Sequence, residues 1–180
     1  MRYNKIRKMD ISNGPGVRVS IFMQGCIFNC KNCFNPETHD FNGGKEFSDK
    51  TIERILELCE AEYVEGLSIL GGEPMHPKNI EATTRLAKAF KEKFPNKTIW
   101  SWSGYLFHES LMDKEVMKYI DVLVDGRYVD ELRNPTLHYR GSSNQRVIDV
   151  QKSLKENKVI ELKIDGEESI NSSMKELVAC

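Results

Sequence analysis

Much that would announce other kinds of protein is missing from this chain. No apolar run approaches the length needed to span a bilayer. Lysine and arginine number 26 against 27 aspartates and glutamates, so no overall positive field draws the chain onto nucleic acid. Met1-Arg2-Tyr3-Asn4-Lys5-Ile6-Arg7-Lys8 is basic but has no apolar stretch behind it and does not read as a secretory signal. Neither an internal repeat nor a linker interrupts the 180 residues, which suit one domain. His39, His76, His108 and His138 share no short spacing, and no Ser-His-Asp arrangement stands out. One further absence is more pointed. Three cysteines are crowded together, and no fourth lies beside them.

Those three stand in Gly25-Cys26-Ile27-Phe28-Asn29-Cys30-Lys31-Asn32-Cys33-Phe34, a C-x3-C-x2-C spacing directly after an apolar run. Sulfurs this close on one loop can converge on a single centre. An iron–sulfur cluster is ordinarily held by four thiolates. Cys26, Cys30 and Cys33 without an evident fourth therefore suggest a [4Fe–4S] cluster with one iron left open to another ligand. A structural zinc site, with His39 as its nearest fourth ligand, and a disulfide with a spare thiol are the alternatives. Cys59 falls on an apolar helical stripe and reads as a small core residue. Five cysteines with three on one loop fit a reducing cytosol better than secretion.

The rest of the chain alternates strand and helix patterns. Asp10–Gly16 is a loop of turn formers, and Val17–Met23 is an apolar, β-branched strand that ends where the cysteine loop begins. A helix capped by Ser48 carries Ile52, Ile55, Leu56, Cys59 and Tyr63 toward a stop at Gly66. Leu67–Leu70 is a strand, followed by a helix with Ile80, Leu86, Phe90 and Phe94 on one side. Thr98–Ser103 is a third strand, Leu111–Ile120 a shorter helical segment, and Asp121–Val124 a fourth strand. Trp100 and Trp102 share a face and read as core. A long irregular loop covers Tyr128–Gln145, with Arg133, Arg140 and Arg146 around it as a docking rim. Arg146–Val150 and Lys158–Ile164 read as two more strands, or as a strand around a short helix, and 165–180 as a polar tail. Parallel-type strands joined by helices imply right-handed βα units. A complete eight-unit barrel needs about 250 residues, so an incomplete barrel of about four to six units, open on one side, is expected over residues 1–164.

Gly71-Gly72-Glu73-Pro74 ends the second of these strands, on the same side as the cysteine loop. Its glycines let backbone approach a ligand closely, and its carboxylate suits an ammonium. C-x3-C-x2-C after one strand with G-G-E-P after the next resembles the radical S-adenosylmethionine (SAM) superfamily. Further blocks narrow the likeness: Asp10–Arg18, Cys33-Phe34-Asn35-Pro36, Gly71–Pro77, Trp100–Tyr105, Val122–Arg127 and Arg140–Arg146 fall in the order seen in activating proteins of anaerobic ribonucleoside-triphosphate reductase. The residue before the third cysteine is usually aromatic in the superfamily; here it is Asn32, with Phe34 following, as in the reductase activators.

That resemblance implies a radical SAM oxidoreductase. Cys26, Cys30 and Cys33 would hold a [4Fe–4S] cluster whose open iron takes the methionine amino and carboxylate groups of SAM. One electron then cleaves SAM to methionine and a 5′-deoxyadenosyl radical, which removes hydrogen from a glycine of the reductase. Asn32 and Phe34, with Cys33 between them, would lie against the adenine through backbone and ring contacts, Gly71, Gly72 and Glu73 would receive the amino group, Ser101 would touch the ribose, and Arg127 would pair with the carboxylate. Asp125 would sit near the substrate glycine or hold Arg127. A flavodoxin-type donor would supply the electron in the cytoplasm, with neither nucleic acid nor membrane involved. Rival readings are another small radical SAM enzyme, such as a different glycyl-radical activase or a heterocycle synthase, and a ferredoxin-like electron carrier.

Overall fold

The structure, a computed structural model, describes residues 1–164; the polar tail and Cys180 lie outside the described residues. Seven strands form one mixed sheet: β1 (Arg2–Asp10), β2 (Val17–Met23), β3 (Lys45–Glu46), β4 (Val64–Gly71), β5 (Thr98–Ser103), β6 (Val122–Asp125) and β7 (Arg146–Asp149), in the order β3-β1-β2-β4-β5-β6-β7. The centre, β2-β4-β5-β6, is parallel, while β1 and β7 flank it antiparallel. Helices α1 (Asp49–Leu58) and α2 (Ile80–Lys93) cross between β2 and β4 and between β4 and β5, and α3 (Val150–Glu156) follows β7. Among the described residues no helix is long and apolar enough to cross a membrane.

Period-two alternation sorts the side chains of the central strands. Val19, Ile21, Met23, Leu67, Ile69, Ile99 and Leu123 share the main core with Ile52 and Ile55 of α1 and Leu86 and Phe90 of α2. The alternate positions Trp100, Val122 and Val124 join Val147 in a smaller cluster on the sheet. Helices α1 and α2 thus bury their apolar stripes on the same face of the sheet. Ser48 opens α1 with a capping box closed by Thr51, whose hydroxyl accepts the Ser48 amide at 3.2 Å.

Several boundaries differ from the sequence reading. The basic N-terminus is a strand, β1, pairing Tyr3 with Met23 and Ile6 with Ile21. Its polar composition hid it, because beyond the two-residue pairing with β3 its outer side is open and needs few apolar residues. Helix α1 ends at Leu58, so Tyr63 is exposed and Gly66 does not stop the helix. Gly66 lies inside β4, where a Cβ would come within 2.1 Å of the Thr98 carbonyl and 2.6 Å of the Arg18 guanidinium. The Leu111–Ile120 helix is instead a π turn (Phe107–Leu111) and a 3-10 turn (Glu115–Lys118). Residues 158–164 form no ladder strand; they follow β7 through a single Glu161–Ile148 bridge.

Arg18 explains the glycine. Its side chain is fully buried on the sheet and donates to Ser68 Oγ (2.8 Å), Thr98 Oγ1 (3.1 Å) and the carbonyls of Pro15, Leu67 and Thr98 (3.3, 3.0 and 2.8 Å). Burial pulls its pKa down to about 10, which leaves it charged at neutral pH. Ser68 passes the tether on by donating to the Asn13 carbonyl at 2.5 Å. The Asp10–Gly16 loop is thereby fastened to β4 and β5.

Candidate cluster and cofactor site

The C-terminal ends of the parallel strands deliver four loops to one end of the sheet, as ligand sites in parallel α/β folds require. The cysteine loop follows β2, Gly71–Pro74 follows β4, Gly104-Tyr105 follows β5 and Gly126–Tyr128 follows β6. Between them lies a cavity of about 540 Å³. Cys26, Cys30, Cys33, Phe34, Gly71, Gly72, Glu73 and Arg127 all line it. The two motifs, far apart along the chain, are stapled directly. Gly72 and Glu73 donate their amides to the carbonyls of Met23 and Gly25, each at 2.9 Å. Asn79, fully buried at the foot of α2, donates through one amide nitrogen to the carbonyls of Gln24 (3.0 Å) and Glu73 (2.9 Å). Close approach is what the glycines permit. Gly71 has φ of +107°, and a Cβ there would meet the Met23 amide nitrogen at 2.7 Å.

Cys26, Cys30 and Cys33 are free thiols. Burial pushes Cys26 and Cys33 up, and the neighbouring Cys30 adds to both. Ligating a metal would release those protons. Among the described residues no three His, Cys, Asp or Glu side chains are grouped to share one metal ion. A single zinc needs ligands about 2.3 Å from one point, whereas a cluster spreads its cysteines over several irons. His39 lines the cavity too; its carbonyl accepts the Cys26 amide at 3.1 Å, and its Nε2 is buried without a hydrogen-bond partner. The donor set, three thiols on one loop beside a cavity, fits an iron–sulfur cluster.

Glu73 is 1% exposed, and its carboxylate accepts from the Met75 amide (2.9 Å), Ser103 Oγ (2.8 Å) and the Gly104 amide (2.7 Å). Burial raises its pKa to about 7 despite those three donors. A cation from a ligand would restore its charge. Across the cavity, Arg127 lies over the Phe28 ring at 5.4 Å and donates to the Phe28 carbonyl at 2.9 Å.

Three expected residues are placed differently. Ser101 is buried outside the cavity lining, its hydroxyl donating to the Ile69 carbonyl at 2.8 Å; Trp102 and Ser103 are the β5 residues at the cavity. Asp125 is fully buried and does not hold Arg127. It accepts from the Phe107 amide (2.8 Å) and from both Nε and Nη2 of Arg146, so Arg146 is a partner in the fold rather than part of a docking rim. Asn32 is not among the residues lining the cavity; its side chain donates to Asp130 at 2.7 Å. Sequence reasoning missed Asn79 and Ser103 as organisers. The signal for Ser103 was its place at a strand's C-terminal end before Gly104; Asn79, in an ordinary helix start, gave none. It also did not assign Gln145, which donates to the Gly126 carbonyl and accepts the Gly141 amide, both at 2.9 Å, so that the Arg140–Arg146 block holds the turn carrying Arg127.

Comparison with known proteins agrees with this geometry. Residues 12–148 match the family model described as a 4Fe-4S single cluster domain. The anaerobic ribonucleoside-triphosphate reductase-activating protein of Enterobacteria phage T4 is 39% identical over 147 residues, 82% of this chain and 93% of the relative. The protein of the same name from Vibrio cholerae is 38% identical over 149 residues (81% and 96%), and that of Escherichia coli K12 is 37% identical over 150 (82% and 97%). With its cysteine loop intact and most of its length covered at such identity, the chain belongs to the family of anaerobic ribonucleoside-triphosphate reductase-activating proteins.

Proposed function

We propose that this protein activates an anaerobic ribonucleoside-triphosphate reductase by generating a glycyl radical on it, using SAM at a [4Fe–4S] cluster held by Cys26, Cys30 and Cys33. The observation that carries the reading is the cavity itself, where three free thiols face a buried carboxylate, Glu73, and an arginine, Arg127. When bound, the cluster supplies the electron for reductive cleavage of SAM, the chemistry that ends with loss of a hydrogen atom from the reductase glycine.

The chain's own residues do the rest. Glu73 is held in place by Ser103 and the Gly104 and Met75 amides, and accepts the methionine ammonium with Gly71 and Gly72 alongside. Arg127 offers a guanidinium to the carboxylate, the geometry for which a planar fork is suited. Phe34 presents its ring to the cavity for the adenine. Phe22, Leu70 and Trp102 add apolar walls to the same cavity. We read the parallel β2-β4-β5-β6 sheet as the partial barrel of a radical SAM enzyme, working in the cytoplasm with a flavodoxin-type reductant.

The test is anaerobic reconstitution followed by iron and sulfide analysis and EPR of the reduced protein. The expected result is about four irons per chain, from the cluster stoichiometry, and a signal that changes when SAM is added. A reduced-cluster signal indifferent to SAM would overturn the radical SAM reading.

A further inference from the structure

The cysteine loop does not stand alone: the segment after β6, residues 127–131, clasps it from Phe28 to Phe34. Arg127 caps the Phe28 carbonyl (2.9 Å), Asn32 Nδ2 donates to Asp130 Oδ2 (2.7 Å), Lys31 pairs with Glu131 (3.2 Å), and the Phe34 ring meets Tyr128 edge-on with centroids 5.1 Å apart. Asp130 is the hub of this clasp. One carboxylate oxygen takes Asn32 and the other takes the Tyr128 hydroxyl at 2.7 Å, so one side chain fixes both the turn between Cys30 and Cys33 and the tyrosine behind Phe34.

The turn needs such an anchor. Asn32 has φ of +53°, a left-handed conformation that an isolated asparagine tolerates but does not hold, and no helix or strand constrains residues 26–34. The hydrogen bonds from Tyr128 and Asn32 keep the Asp130 carboxyl below its usual range, so it stays a charged acceptor at neutral pH. Charge-assisted bonds of this kind are the stronger ones. Lys31 and Glu131 are both mostly exposed, and their pair adds little.

We infer that Asp130 is a positioning residue, which sets the Cys30–Cys33 turn and the Phe34 ring through Asn32 and Tyr128 before any cluster is bound. The inference rests on the reading of Cys26, Cys30 and Cys33 as cluster ligands. The experiment uses the full chain, without iron and after reconstitution, as wild type, Asp130→Ala, Asp130→Asn and Tyr128→Phe. Amide hydrogen exchange on the iron-free protein reads the loop directly. Asp130→Ala is expected to speed exchange at least tenfold in the peptide spanning residues 26–36, and to lower iron and sulfide content at limiting iron by at least twofold. Asp130→Asn, which retains an acceptor for one of the two donors, falls between Ala and wild type; Tyr128→Phe speeds exchange less than Asp130→Ala. Exchange over residues 49–58 of α1 stays unchanged, which separates a loosened loop from a failed fold. Wild-type exchange in 26–36 for Asp130→Ala, or iron loss without faster exchange there, would overturn the positioning role. Failure of the wild type itself to take up iron would instead overturn the cluster reading.

Discussion

Glu73 keeps its proton in the ligand-free fold up to about pH 7, whereas an ordinary glutamate loses it near 4.5. The sign follows from linkage. Between those values the unfolded chain has released a proton that the native chain still holds, so this group's contribution is present at low pH and lost as pH rises through about 7. Thermal melts of the ligand-free protein should therefore show wild type losing ground to Glu73→Gln between about pH 5 and about pH 8. A parallel pH dependence of the two would remove Glu73 as a buried, uncompensated carboxylate. The same variant should bind SAM more weakly, since an amide offers no charge to an ammonium. Arg18 makes a second residue-scale case. Replacing it with Met leaves the Leu67 and Thr98 carbonyls and Ser68 short of a donor, and is expected to cost about 3 kcal/mol in chemical denaturation. Gly66→Ala should destabilise by a similar margin, because its Cβ would collide with the Thr98 carbonyl and the Arg18 guanidinium. A cost under about 1 kcal/mol for both would contradict the tether.

The cysteine loop and the Gly71–Pro74 turn work as one element. Asn79, remote in sequence, joins them through the carbonyls of Gln24 and Glu73. Asn79→Ala should lower stability by about 2 kcal/mol and weaken SAM binding while leaving the cysteines in place, measured by denaturation and by ligand titration. Unchanged SAM affinity with reduced stability would confine Asn79 to folding. Much of this element could be read beforehand. Strands β2 and β5 announced themselves as apolar or aromatic runs ending in glycine, and the cysteine and Gly-Gly-Glu-Pro motifs sat at strand ends where ligand loops belong. What escaped reading depends on long-range partners. Strand β1 is polar because it lies near the sheet's edge, Gly66 reads as a helix stop because its real neighbour, Arg18, is 48 residues away, and Asp125 reads as facing the substrate glycine or Arg127 because the arginine that pairs with it lies beyond a long loop. Periodicity reports local burial, not which distant group completes a hydrogen bond.

At the scale of the molecule, the parallel strands serve to bring four loops from separate stretches of chain to one cavity, and antiparallel strands flank them, β1 with the short β3 beyond it on one side and β7 on the other. Arg18 secures the far end of the central strands, while Asn79, Asp125 and Gln145 secure the end that carries the chemistry. The family match covers residues 12–148, from the loop before β2 through β7's third residue, and so takes in all four loops that meet at the cavity. The most direct measurement mixes the reconstituted protein with anaerobic ribonucleoside-triphosphate reductase, SAM and a strong one-electron reductant, and follows the EPR spectrum. A glycyl-radical doublet on the reductase is predicted, lost when Cys26, Cys30 or Cys33 is replaced by serine and weakened by Glu73→Gln. A cluster that reduces normally and binds SAM, yet never produces that doublet, would contradict the account.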